Sequence, residues 1–157
     1  MPRDILQIAG ALKNIYDFVF NENSEVSDLT EMKMHKLLYF AQKRHFEIFG
    51  EWLFEDDFEG WVHGPVNRKV RSMFMFLDGS EIELTPEEEY TLREIVYDYG
   101  KYSAGYLRNL SHQDKAYQIS RNGLNDDEPG NNVILKENII RDINIYDPDA
   151  SLEGEVL

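Results

Sequence analysis

The stretch 30-TEMKMHKLLYFAQKRHFEIFG-50 decides the fold. Thr30 is a helix cap residue and Glu31 suits the positive end of a helix dipole. Met34, Leu37, Leu38, Ala41, His45 and Ile48 recur at helical spacing along one face. Tyr39, Phe40, Phe46 and Phe49 widen that face. An apolar surface this broad predicts a helix buried on most sides, not an amphipathic one lying on a surface. Gly50 is a natural stop, because glycine adopts the left-handed conformation that ends many helices.

Upstream, residues 4–20 predict a first helix. Ile5, Ile8, Ala9, Leu12, Ile15, Tyr16 and Val19 keep the same period. Asn21 to Ser27 reads as a polar loop. Downstream, Phe58, Gly60 and Val62 alternate with Glu59, Trp61 and His63, a strand period, with Leu53-Phe54 as the other half of a small hairpin. Gly64-Pro65 breaks the strand, and Pro65 is expected to open a helix that Val66, Val70, Met73, Phe74 and Leu77 carry to Asp78-Gly79. Glu81 to Leu84 predicts a short extended piece. Thr85-Pro86-Glu87-Glu88 is a capping box for a helix that Gly100 ends. Ser103 caps a short helix with Leu107 and Leu110, and another covers Asp114 to Ser120. After the loop from Asn122 to Asn132, Ile134 to Ile145 predict a last helix. The expectation is a mainly α fold: one compact helical domain of about six to seven helices with a small β-hairpin over residues 1–146. An acidic, flexible tail over 147–157 follows.

Composition bounds the function. At 157 residues, with 42% hydrophobic and 13% aromatic side chains, the chain has material for a core. It has no cysteine, which removes disulfides, thiolate nucleophiles and cysteine-bound zinc and suits a cytoplasmic location. The amino terminus lacks the apolar run of a signal peptide, and no stretch approaches the roughly 20 apolar residues of a membrane span. A net charge of −14 opposes direct nucleic-acid binding. It leaves a basic protein partner, imitation of nucleic acid, or plain solubility as the reason for the acidity.

No catalytic centre is legible. His35, His45, His63 and His112 show no metal-ligand spacing, and neither metal nor cofactor is expected. The carboxylates Glu51, Glu55, Asp56, Asp57 and Glu59 lack the calcium-loop pattern and read as a solvated rim. Ser111 beside His112 invites a nucleophile–base reading, but no Gly-x-Ser-x-Gly elbow surrounds them. One contrast stands out. Seven of the 16 basic residues fall between Lys33 and Arg71, interleaved with Tyr39, Phe46 and Trp61. Arginine and aromatics are what protein interfaces favour, although such charges also complete the polar faces of ordinary helices.

The same residues carry a family resemblance. Met34-His-Lys-Leu-Leu-Tyr-Phe-Ala-Gln42 resembles the K-L-x-K-L-L-Y-Y-A-Q helix of the SocA-like, or Panacea, antitoxin domain. Phe58-Glu-Gly-Trp-Val-His-Gly-Pro-Val66 is similar to its I-E-A-W-x-x-G-P-V segment. Tyr99-Gly100 with Leu107-Arg-Asn-Leu-Ser-His112 is similar to its Y-G … L-x-x-L-T-H stretch. Order and spacing agree from about Ile5 to Tyr146. Ser111, Tyr117 and Arg71 depart from the common Thr, Trp and Tyr. The resemblance implies a bacterial or prophage-encoded, phage-associated antitoxin that neutralises a cognate protein toxin by direct contact. In one branch of the family it also implies an adaptor to a ClpXP-type protease. Lys36, Tyr39, Trp61, His63, Arg68 and His112 are the partner-contact candidates. The rival expectation is an acidic nucleic-acid mimic, or another phage-encoded inhibitor of a host protein.

Overall fold

A computed structural model describes residues 3–22 and 26–146, without the side chains of 145 and 146. Seven α-helices and three short strands are present among the described residues: α1 (Ile5–Phe20), α2 (Glu31–Phe49), β1 (Phe58–Trp61), β2 (Gly64–Val66), α3 (Arg68–Met73), α4 (Pro86–Tyr99), α5 (Ala104–Ser111), α6 (Lys115–Ser120), β3 (Val133–Ile134) and α7 (Lys136–Tyr146). The fold is mainly α, as the periodicity predicts.

α2 is the axis. Every residue from Met34 to Gln42 is buried, and α4, α5 and α7 pack on it while α1 closes another side. Burying this run supplies the dominant stabilisation, because each large apolar side chain removed from water contributes roughly 1.5–3 kcal/mol. Thr30 accepts from the Lys33 amide, and Gly50 closes the helix at φ 70°. α1 starts on a capping box from Asp4 to Gln7, with the Asp56 carboxylate accepting from the Ile5 amide at 3.0 Å. The capping box read at Thr85 is formed, with Glu88 reaching back to the Thr85 amide at 2.8 Å.

The expectations fail around the hairpin. Pro65 does not open a helix; it lies in β2, opposite Gly60. The sheet order is β2-β1-β3, so β2 is an edge strand, where proline's missing N–H breaks no ladder. Gly64 at φ 115° makes the tight turn that sends β2 back along β1. α3 starts at Arg68, capped by Asn67, whose side chain accepts from the Val70 amide at 3.1 Å. It ends at Met73 and tightens into a 3-10 turn over Phe74–Phe76. Leu53-Phe54 is not the hairpin partner. Phe54 bridges to Arg3, and both residues are fixed by Gln42. Ile134 belongs to β3, paired with Phe58, so the last helix begins at Lys136. Glu81 to Leu84 forms no strand. The acidic tail over 147–157 lies outside the described residues.

Candidate functional site

A groove of about 530 Å³ opens between the first turns of α2, the β1–β2 turn and α3. It gathers four of the six candidates: Lys36, Trp61, His63 and Arg68. Met32 and Arg71, which the sequence reading did not single out as contacts, line it as well.

Trp61 is half-buried at the end of β1 and its indole N–H donates to Glu59 at 2.9 Å. Arg68 donates from Nε to both Glu59 oxygens, at 3.1 and 3.0 Å. The guanidinium groups of Arg68 and Arg71 stand 5.7 and 5.1 Å from the centre of the Trp61 ring. One aromatic thus carries two cations, a contact favoured by the negative potential over the ring face. The arginines reach it because α3 starts two residues after β2, and Arg68 and Arg71, three apart, share one face of the helix.

His35 forms the inner wall. Its Nδ1 accepts from the Asn67 amide at 3.3 Å, so Nε2 carries the proton and donates to Glu31 at 3.0 Å. Burial, opposed by Glu31, lowers its pKa from 6.5 to about 4, so the ring is neutral at pH 7. Lys36 lies beside it, 1% exposed, with no hydrogen bond or ion pair among the described residues. Burial, then the charge of Arg108, lowers its pKa from 10.5 to about 8. A Cβ on Gly64 would stand 2.9 Å from Lys36 Cε and 3.0 Å from Ser111 Oγ. Glycine is therefore demanded twice at this position, by φ and by space.

The other two candidates lie elsewhere. Tyr39 is in the core at 0% exposure, its hydroxyl donating to Asp114 at 2.9 Å and its ring edge-on to Phe58. His112 caps the end of α5 and stacks on Tyr117 with centroids 4.6 Å apart. The Tyr117 hydroxyl donates to the Trp61 carbonyl, which ties this stack to the hairpin.

The rival chemistries find little geometry. Ser111 donates to the Arg108 carbonyl at 2.8 Å, so its proton does not face His112. Asp56 pairs with Lys69 at 2.9 Å and Glu59 with Arg68, so these carboxylates tie β1 and the loop before it to α3. Among the described residues no group of three or more histidine and acidic side chains is placed to hold a metal ion. No helix of the described residues is long and apolar enough to cross a membrane.

Exposed apolar side chains adjoin the groove along the chain. Met75 is 84% and Phe76 75% exposed on the turn after α3, whereas the sequence pattern places this segment on a helix with its apolar face inward. Neither is on the face of Val66, Val70, Met73, Phe74 and Leu77 that the spacing points inward.

No curated protein and no solved structure matches the chain. A family model does, over residues 34–118, a span that begins in α2, takes in Lys36, Trp61, His63, Arg68 and Arg71 of the groove and ends in α6. With all three sequence blocks inside that span, the chain belongs to the antitoxin SocA-like, Panacea domain family.

Proposed function

We propose that this protein is an antitoxin that neutralises a cognate protein toxin by direct contact through the Trp61 groove, acting by binding and not by catalysis. The observation that carries the reading is the exposed Arg68–Trp61–Arg71 stack in a groove next to Met32, with the uncovered Met75 and Phe76 on the turn that follows. Aromatic and arginine anchors around a concavity are what interface hot spots consist of. The groove is a cationic patch on a chain of net charge −14, so it attracts an acidic or aromatic element of the toxin while the remaining surface favours a basic one. Family membership supports a toxin as the class of partner.

The test is rescue. The neighbouring reading frame is expressed in a bacterial host alone, then with this protein, and growth is scored. Restored growth with a co-purifying complex supports the reading; unrelieved toxicity rejects it. Trp61→Ala should weaken rescue at least tenfold while leaving the helical circular-dichroism signal intact, because the ring is only half-buried. Following toxin half-life in a host lacking ClpXP separates simple occlusion from delivery to a protease.

A further inference from the structure

Positive charge also collects in a second place, which the toxin reading does not use. Arg108 on α5, His112 at its end and Arg121 after α6 line a cavity of about 570 Å³ whose rim includes the Asn122–Gly123 turn and one carboxylate, Asp126. Arg121 is fixed by its structural bonds: it donates to the Gly60 carbonyl and to the Asn125 carbonyl, each at 3.0 Å. Arg108 has no such role. Among the described residues its side chain forms no hydrogen bond and no ion pair. Arg108 Nε and His112 Nε2 are the two buried side-chain polar atoms without a partner among the described residues, and both belong to this cavity. The unpaired ammonium of Lys36 lies close enough for its charge to act on His112 and for Arg108 to act on it.

This chain has 30 acidic residues against 16 basic ones, and it pairs Arg68 and Lys69 of α3, Arg93 of α4 and Lys136 of α7 with carboxylates. Lys36 and Arg108, neither of them exposed, have neither a carboxylate nor the neutral acceptors that hold Lys33 and Arg121. The charge of Arg108 bears on Lys36, and the His112 pKa falls to about 4 through burial and then through Arg108, Lys36, Arg121 and His63. Unpaired half-buried charges are costly. A ligand of opposite sign would satisfy the orphaned donors and relieve the repulsion together.

We propose that the cavity walled by Arg108, His112 and Arg121 binds a compact phosphate-type oxyanion, with Lys36 adding charge from behind the hairpin turn. A doubly charged group with several acceptor oxygens matches several convergent donors better than a single carboxylate does, and guanidinium groups present forked donors to it. The surrounding acidic surface disfavours a polyanionic backbone, so the phosphate is free or the head of a small ester. The stacked Tyr117 holds the His112 ring in plane, ready to donate once protonated.

The experiment titrates the full chain at pH 7 and constant ionic strength with inorganic phosphate, glycerol phosphate, acetate and chloride. Binding is followed by calorimetry and by the His112 ring proton resonance. Saturable phosphate binding at millimolar concentration is expected. So is an upward move of the His112 titration by more than one pH unit in phosphate. Arg108→Gln should weaken phosphate at least tenfold, while Arg93→Gln on α4 leaves it unchanged. Tighter binding of glycerol phosphate assigns the group to an ester; equal binding assigns it to free phosphate. A phosphate response no larger than that of chloride or acetate overturns the proposal, as does an unchanged response in folded Arg108→Gln. If that variant fails to fold, the His112 titration in the unaltered chain decides.

Discussion

The two ends of the buried half of α2 handle polar side chains in opposite ways. At one end Gln42 is saturated. Its amide donates to the Phe54 carbonyl at 2.8 Å and its oxygen accepts from the Leu53 and Phe54 amides at 2.8 and 3.2 Å. At the other end Lys36, 1% exposed and bordering the groove, makes no hydrogen bond or ion pair among the described residues. Tyr39 and His35 side with Gln42, since each pins α2 to another element, at Asp114 and at Asn67. The contrast separates two reasons for a polar residue on a buried helix. One class holds the scaffold together; the other is held by the scaffold at a cost in free energy.

Removing the saturated member should have the largest effect. Gln42→Leu strands two buried amides and a carbonyl, each costing about 1–3 kcal/mol, so a loss of about 3 kcal/mol or more is expected in urea unfolding. A loss under about 1 kcal/mol would mean the 53–54 segment finds other partners, and Gln42 would leave the scaffold class.

Lys36→Met should move stability the other way. It keeps the length of the side chain and removes an unpaired buried charge, so a gain of about 1–3 kcal/mol at pH 7 is expected. The sign carries a pH signature. Above about pH 8 the folded chain releases the Lys36 proton, while the unfolded chain holds it to 10.5. The unfolded state then binds more protons, so the unaltered protein gains stability as pH rises through that window. The variant lacks this gain, and the difference between the two curves isolates Lys36 from every group the two chains share. A destabilised Lys36→Met would show that the ammonium has a counterion in solution.

Which class a residue falls in was only partly legible from the sequence. Periodicity located α2, and the caps at Thr30, Thr85 and Ser103 are formed, because these signals act within one turn of the chain. Pro65 was misread because its two roles, first helical residue and edge-strand residue, look alike until β1 is seen to pair with both β2 and β3. β3 has only Val133 and Ile134 and depends on Phe58 and Glu59, far away in sequence. At the site, Trp61 and Arg68 were legible as an aromatic and a cation near one another in the chain. The orphaned state of Arg108 was not, since it depends on which carboxylates the fold brings near and which it sends elsewhere.

His35 sharpens the comparison on the acid side. It is saturated only while neutral, because protonation of Nδ1 would turn the Asn67 amide and the ring into two opposed donors. The unfolded chain takes up this proton near pH 6.5 and the folded chain only near pH 4. Stability is therefore full above pH 6.5 and falls as pH drops toward 4, with a slope of up to about 1.4 kcal/mol per pH unit from this residue. His35→Gln, which can accept from Asn67 and donate to Glu31, should flatten the midpoint temperature across that range. An unflattened curve would place the acid sensitivity on other groups.

The smallest effect on stability is expected at Arg68, where the comparison meets function. Arg68 is exposed and paired with Glu59, and such surface pairs contribute about 0–1 kcal/mol. Arg68→Gln should therefore shift urea unfolding by less than about 0.5 kcal/mol yet weaken toxin rescue, because the cation over Trp61 is part of the proposed contact surface. Glu59→Ala alone frees both Arg68 and the Trp61 indole from their shared acceptor. The double variant should lose the sum of the two single losses, since a weak pair has little coupling to lose. Coupling above about 1.5 kcal/mol would move Arg68, Glu59 and Trp61 into the same class as Gln42. The groove would then be a strut of the hairpin and the toxin contact would have to be sought on the exposed turn at Met75 and Phe76.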